Sequence, residues 1–376
     1  MVKATALVVP ELNAPFEMRT VELDELRPNE VLVDLKATSI CHTDLAVQAG
    51  KIPMPFPVVL GHEGAGVVRA VGSNVKDCEA GDHVILSYNF CGECRFCKEK
   101  KTYQCEKSAA CNFGGSRQDG SQTILSDSTP FSTCFFGQSS FCNPAVVQET
   151  SIVKIDEKLP LPVVCALGCG FQTGAGAIYN VVKPIERKVQ YLAIFGIGGV
   201  GCASVMAAHH LATTNPSTPF EIIAIDINPE RLQLAKTLGA THVIDSMKED
   251  LKSTVMTITA GRGLDAAVDC SGNMHVINGM LDLLGVGSLA VTVGSPPAGT
   301  KASVDVFDLL IGCKTYCGCH QGWAYAKEFI PSLAELYAKG QFPLESLQKT
   351  YPVQDINTAC KDMLKGDVLK PVLLWE

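Results

Sequence analysis

The chain has 376 residues, 47% of them hydrophobic, which is enough apolar material for two ordinary domain cores and too much for a disordered polymer. A formal charge of −8 supplies no basic field for a nucleic acid or an anionic membrane. The opening MVKATALVVPELNAPF lacks the charged start, long apolar stretch and small-residue cleavage site of a secretory signal, so the cytoplasm is the expected compartment. Seventeen cysteines in that setting point to metal binding or ordinary burial before disulfides.

Residues 1–160 read as short alternating or apolar runs, such as VLVDLKA and GAGVVRAVG, broken by Gly, Pro and Asp turns. This predicts a β-rich, loop-bearing region, with the polar stretch 114–134 as a long surface loop. From 161 to 321, apolar runs (YLAIFG, EIIAIDI, AAVDCSG, LAVTVG) alternate with helical segments such as NPERLQLAKTLGA. That rhythm predicts a doubly wound α/β domain with a parallel sheet. Residues 322–376 hold a predicted helix in AKEFIPSLAELYAKG and a terminal apolar run, expected to pack back onto the first region. The apolar stretch 191–208 is long enough to suggest a membrane span, but four glycines fall between 196 and 201, and a strand, loop and helix explain it better.

Three features carry chemistry. Cys91, Cys94, Cys97 and Cys105, in a polar lobe spanning 91–105, form C-x2-C-x2-C-x7-C. Four thiolates suit a closed tetrahedral zinc site that staples a loop with little apolar content; an iron–sulfur cluster, disulfides and free thiols are the alternatives. The neighbouring Lys98, Lys100 and Lys101 are too few, in an acidic protein, to read DNA. Cys41 in SICHTDLAVQAG, His62 in LGHEGAGVV and Cys169 in ALGCGFQTG each lie beside a glycine or turn. Taken singly, each is more often a packed core residue than a ligand. Finally, FGIGGVG places Gly196, Gly198, Gly199 and Gly201 directly after an apolar run and before a predicted helix. That context makes G-x-G-x-x-G a dinucleotide fingerprint, with the pyrophosphate facing a helix N-terminus. Asp226 ends the next apolar run, where a carboxylate accepts ribose hydroxyls and repels a 2′-phosphate, favouring NAD over NADP.

Over nearly its whole length the sequence resembles the zinc-containing medium-chain alcohol dehydrogenases. The resemblance rests on Gly61-His62-Glu63 followed by Gly66, Gly72 and Val75, on the four-cysteine lobe, on Cys169 in GCGFQTG, and on the glycine fingerprint. It implies a GroES-like catalytic domain (1–160 with 322–376) and a Rossmann NAD-binding domain (161–321). It also implies two zinc ions per chain, the catalytic one held by Cys41, His62 and Cys169 with a fourth position open. Thr43 matches the hydroxyl that accepts the substrate proton, while Asp44 and Glu63 match carboxylates that orient His62 and tune the metal, Glu63 also as a transient ligand. Many relatives end the proton relay on a histidine where this chain has Ala46, so the proton leaves through water or His42. His42 is also implied at the cofactor pyrophosphate and Arg231 at the adenosine ribose. Thr173, Val200, Val293, Cys319, Gln321 and Lys370 are implied around the nicotinamide or phosphates.

GSRQDGS at 115–121 and FFGQSSF at 135–141 resemble the aryl and benzyl alcohol branch, which implies Ile52, Ser87, Phe135 and Phe136 around a planar or allylic primary alcohol. A glutathione-dependent formaldehyde dehydrogenase is the alternative enzyme, although Ala109 and Ile52 stand where charged residues are needed. A zinc-bound structural or NAD-sensing protein without turnover is the alternative of another class. The expected partners are a small alcohol or aldehyde and further copies of the chain, as a dimer or tetramer contacting along 308–319.

Overall fold

The computed structural model describes residues 2–126 and 129–375. The chain divides into two compact units, Met1–Cys169 with Tyr325–Glu376, and Gly170–Ala324.

In the first unit two β-sheets dominate. One pairs Val2–Val9 with Glu17–Leu23, Val58–Val59 and Cys142–Asn143, and Ile124–Leu125 extends it at Glu17–Leu23. The other runs Ile152–Lys154, His83–Leu86, Gly64–Val71, Glu30–Ser39, Lys370–Leu374, Gln348–Pro352, with Ala145–Gln148 also on Glu30–Ser39. The last strand returns beside the third, pairing Val372 with Ser39, and this is what brings Lys370 next to Ile40 and Cys41. Glu17–Leu23 alternates exposed and buried side chains toward its end, as a half-covered strand does, whereas Glu30–Ser39 is buried along nearly all its length and sits mid-sheet.

The segment 114–134 differs from the expected surface loop. Residues 127 and 128 lie outside the described residues, but Arg117 is 7% exposed, and Gly115, Thr123, Ile124 and Ser132–Cys134 are buried. The Arg117 guanidinium binds both oxygens of the buried Glu30 at 2.7 and 3.0 Å and Asp24 at 2.7 Å. Polar letters in this stretch therefore mark an internal ion network, which alternation cannot distinguish from solvated loop.

The second unit is a six-stranded parallel sheet in the order His242–Asp245, Glu221–Asp226, Tyr191–Phe195, Leu264–Asp269, Leu284–Thr292, Thr315–Gly318. Strand order reverses direction between Tyr191–Phe195 and Leu264–Asp269, the crevice where such sheets bind ligands. Ala193, Phe195, Ile223, Ile225, Ala267 and Ala290 form its core, and the strands read as unbroken apolar runs because they are covered on both faces. The stretch 191–208 divides into strand Tyr191–Phe195, a glycine turn and helix Gly199–Thr214. Among the described residues no single helix is long and apolar enough to cross a membrane.

Removing Arg117 leaves Glu30 charged and buried, which costs about 3–5 kcal/mol. Arg117→Met is expected to lower the thermal unfolding midpoint of the first transition, and adding Glu30→Gln to recover part of the loss. Equal melting of Arg117→Met and wild type by circular dichroism would show the network contributes nothing.

Candidate metal centres and nucleotide site

Cys41 follows the strand Glu30–Ser39 and caps the helix His42–Gln48, with the Asp44 carboxylate reaching back to the Cys41 amide at 2.9 Å. The other Asp44 oxygen accepts from the Gly61 amide and from His62 Nδ1, both at 3.0 Å. Asp44 only accepts, so Nδ1 carries the proton and Nε2 keeps its lone pair. Among the described residues that buried Nε2 has no hydrogen-bond partner. Cys169 arrives after the turn Cys165–Gly168, where Gly168 presses on strand His83–Leu86; a Cβ there would lie 2.1 Å from the Leu86 carbonyl oxygen.

These segments bring one donor atom each of Cys41, His62, Glu63 and Cys169 within 4.8 Å of one another. Tetrahedral zinc with bonds of about 2.0–2.3 Å needs donors about 3.3–3.8 Å apart, so two sulfurs and an orphaned imidazole nitrogen fit that ion. The two thiols share a proton. The Cys169 thiol donates toward Cys41 and holds Cys41 well below the ordinary thiol range, against burial, while that bond and burial push Cys169 well above it. Burial pushes His62 down, but Asp44 and the Cys41 thiolate outweigh it and raise its pKa.

Glu63 differs from the orienting role expected for it: its carboxylate is taken by the Lys370 ammonium at 2.7 Å and by the Ser39 hydroxyl, and His62 is oriented by Asp44 instead. Lys370, expected beside the nicotinamide or phosphates, is 5% exposed and committed to Glu63, with the Ile40 carbonyl 3.4 Å away. Thr43 Oγ1 stands 3.7 Å from Cys41 Sγ, half-buried, and His42 is exposed at the helix start.

Of the expected substrate residues, Phe136 stacks on the His62 ring at 4.4 Å and Phe135 meets it edge-on at 5.3 Å. Half-buried Phe113, which the sequence reading missed, packs edge-on against both. Ile52 is half-buried, whereas Ser87 is buried and its hydroxyl donates to the Gly168 carbonyl at 2.7 Å.

In the lobe, one sulfur each of Cys91, Cys94, Cys97 and Cys105 lies within 4.8 Å of the others. Backbone amides of Cys91 and Cys94 donate to the sulfurs of Cys105 and Cys91 at 3.4 Å, and amides near Cys94 lower its pKa to about 6. Lys100, Lys101 and Lys107 are paired with Glu328, Glu99 and Glu93, which offsets much of the positive charge in the lobe.

In the second unit the glycine turn follows Tyr191–Phe195 at the reversal point and opens helix Gly199–Thr214, with Val200 in its first turn. Gly201 is obligatory there, since a Cβ would lie 2.0 Å from the Gly196 carbonyl oxygen. Asp226 ends strand Glu221–Asp226, Val293 and Cys319 lie just beyond the carboxyl ends of the paired strands Leu284–Thr292 and Thr315–Gly318, and the side chains of Gln321 and Thr173 meet at 3.5 Å. Asp226 also does something the motif did not announce: its carboxylate accepts from the amides of Ile197, Ile227 and Asn228 at 2.6–2.9 Å, tying the glycine turn to the next strand. Arg231, in the first turn of helix Pro229–Thr237, has a buried Nε with no hydrogen-bond partner among the described residues.

A family model described as an alcohol dehydrogenase GroES-like domain matches residues 27–157, and one described as a zinc-binding dehydrogenase matches 199–338. The chain is 35% identical to a geraniol dehydrogenase of Castellaniella defragrans, over 100% of its own length and 98% of that protein's. It is 32% identical to an alcohol dehydrogenase class-3 of Drosophila melanogaster, with the same coverage. Its fold matches the crystal structure of benzyl alcohol dehydrogenase from Acinetobacter calcoaceticus with a TM-score of 0.93 at 38% identity, both chains covered in full.

Metal analysis is expected to find two zinc ions per chain, and Cys169→Ser to retain the one held by the four-cysteine lobe. Two ions in Cys169→Ser, with full metal occupancy of wild type, would remove Cys169 from the ligand set.

Proposed function

Since the chain belongs to the zinc-containing medium-chain alcohol dehydrogenase family, we propose that it interconverts aryl or allylic primary alcohols and their aldehydes, with NAD preferred over NADP. It is a zinc-dependent alcohol oxidoreductase with a GroES-like domain and a Rossmann nucleotide-binding domain, and zinc and a nicotinamide dinucleotide are its cofactors. The observation that carries the proposal is the half-buried Cys41 thiol and the buried Cys169 thiol beside a histidine nitrogen that has no hydrogen-bond partner among the described residues.

Cys41, His62 and Cys169 would hold the catalytic zinc, and Cys91, Cys94, Cys97 and Cys105 the structural one. When bound, the metal lowers the pKa of an alcohol and polarises an aldehyde carbonyl, and the dinucleotide accepts or donates the hydride. Asp44 fixes the His62 tautomer. Thr43 accepts the alcohol proton and passes it to water or to the exposed His42, because Ala46 cannot receive it. Phe113, Phe135 and Phe136 present aromatic surface beside His62, which favours a flat, apolar substrate. Gly196–Gly201 would receive the pyrophosphate and Asp226 the ribose; the Asp226 carboxylate disfavours a 2′-phosphate.

We assign the first unit to catalysis and the second to the nucleotide. The cytoplasm suits its cysteines, all of them free. A second copy of the chain is the proposed partner of the nucleotide unit. Thr315–Gly318 is the edge strand of its sheet, and Val306, Phe307, Leu310 and Ile311 of the adjoining helix are all at least 66% exposed.

A substrate panel followed by NADH absorbance tests the reaction. Benzyl and allylic alcohols are expected to give a kcat/KM at least ~10-fold above that for ethanol, a difference of about 1.4 kcal/mol in the barrier. Formaldehyde turnover accelerated by glutathione, with little on benzyl alcohol, selects the glutathione-dependent reading, which lacks charged side chains at Ala109 and Ile52; no NADH signal despite two bound zincs selects the non-catalytic one. For assembly, Phe307→Lys with Leu310→Lys is expected to yield monomers by light scattering, and an unchanged mass removes this face from the interface.

A further inference from the structure

The segment 135–141 stood out in the sequence, yet its aromatic pair accounts for only two of its seven residues. Its remaining residues run alongside the segment that carries His62. The Ser140 and Phe141 amides donate to the Gly61 and Leu60 carbonyls at 2.9 and 3.0 Å, and Ser139 Oγ bridges the Val59 carbonyl and the Phe135 amide at 2.7 and 3.0 Å. Gln138 reaches further. It is 1% exposed, and its Nε2 donates to the His62 carbonyl at 3.0 Å and to the Ser87 carbonyl at 2.9 Å. Its Oε1 accepts from the Gly64 amide at 3.4 Å. One side-chain amide thus grips the main chain on both sides of Glu63 and joins it to the residue after strand His83–Leu86.

The geometry points to Gln138 as a positioning residue for the catalytic metal: it sets the main chain at His62 and so the place where Nε2 meets the two cysteine sulfurs. This deepens, and rests on, the reading of Cys41, His62 and Cys169 as a zinc site. Asp44 fixes rotation of the imidazole and holds the Gly61 amide ahead of it, and Phe136 covers its face, but neither bonds the main chain on the far side of His62, at its carbonyl and at the Gly64 amide. Nε2 lies about 4.5 Å from its Cα, so a main-chain tilt of about 10° displaces it by about 0.8 Å, beyond the ~0.5 Å within which such sites must be held. The amide of Gln138 is the right group for this task because it offers two donors to two carbonyls and an acceptor to an N–H, all satisfied away from solvent. A glutamate, with no donors when ionised, cannot replace it.

The test uses the four-cysteine lobe as an internal reference. Gln138→Met keeps the side-chain length and removes every hydrogen bond; Gln138→Asn keeps a polar amide that can bond part of the set but, one methylene shorter, cannot span the same groups. Zinc release into excess EDTA is followed for wild type and both variants, with each zinc assigned by comparison with Cys169→Ser. One equivalent is expected to leave roughly 10- to 100-fold faster in the variants, the range found when groups that orient metal ligands are lost. The other leaves at the wild-type rate. Cobalt substitution is expected to shift the visible absorption of the same site, and kcat to fall with KM for NAD unchanged. Release of both metals at wild-type rates, or equal acceleration of both, overturns the role; where Gln138→Met does not fold, Gln138→Asn decides on the same readouts. Should wild type bind no zinc at Cys41, His62 and Cys169, the zinc reading itself fails, and this is seen before any variant is measured.

Discussion

The Asp44 carboxylate, closed off from solvent, accepts hydrogen bonds from the Cys41 amide, the Gly61 amide and His62 Nδ1. Those three donors belong to two segments separated by about twenty residues of sequence. Burying an anion costs several kcal/mol unless it is fully bonded, so the two segments are held in the one arrangement that satisfies it. The same bonds decide the chemistry: a proton on Nδ1 leaves Nε2 as a lone-pair donor.

Around it the chain builds outward in layers. Phe136 and Phe135 cover the imidazole, Gln138 holds its backbone, and Lys370, delivered by the C-terminal strand, takes up Glu63. The C-terminal segment therefore completes the site begun by residues 41–63, which gives a physical reason for the first unit to be built from both ends of the chain.

Some of this was legible in the sequence. Apolar runs with helical segments between them identify a parallel sheet, because strands covered on both faces cannot alternate; the glycine turn reads clearly because only glycine fits where Gly201 meets the Gly196 carbonyl. Cysteines at fixed spacing announce a metal lobe for a similar reason, since few other constraints produce that pattern. Gln138, Arg117 and the Lys370–Glu63 pair were hidden. Each acts through partners distant in sequence, Lys370 and Glu63 being 307 positions apart, and a polar letter reads alike whether it meets water or a buried counter-ion. Asp226 was half legible: its place at a strand end was visible, its grip on the Ile197 amide was not.

Charge balance explains why the missed pair matters. Two thiolates offset a divalent cation, and a third anion beside them would weaken its pull on an alcohol oxygen. Glu63 lies among the ligands, yet Lys370 neutralises it at 2.7 Å, and burial, which would push the lysine toward neutrality, is overcome by that carboxylate and by the Cys41 thiolate. The carboxylate is kept close but its charge is offset by the ammonium, so the Lewis acidity of a zinc held there would be set by the sulfur and nitrogen donors. A buried ion pair is a weak source of stability. Its effect on the proposed site would be to remove the field of a third anion from a metal held there, and it is the return of the last strand that brings the lysine to this place.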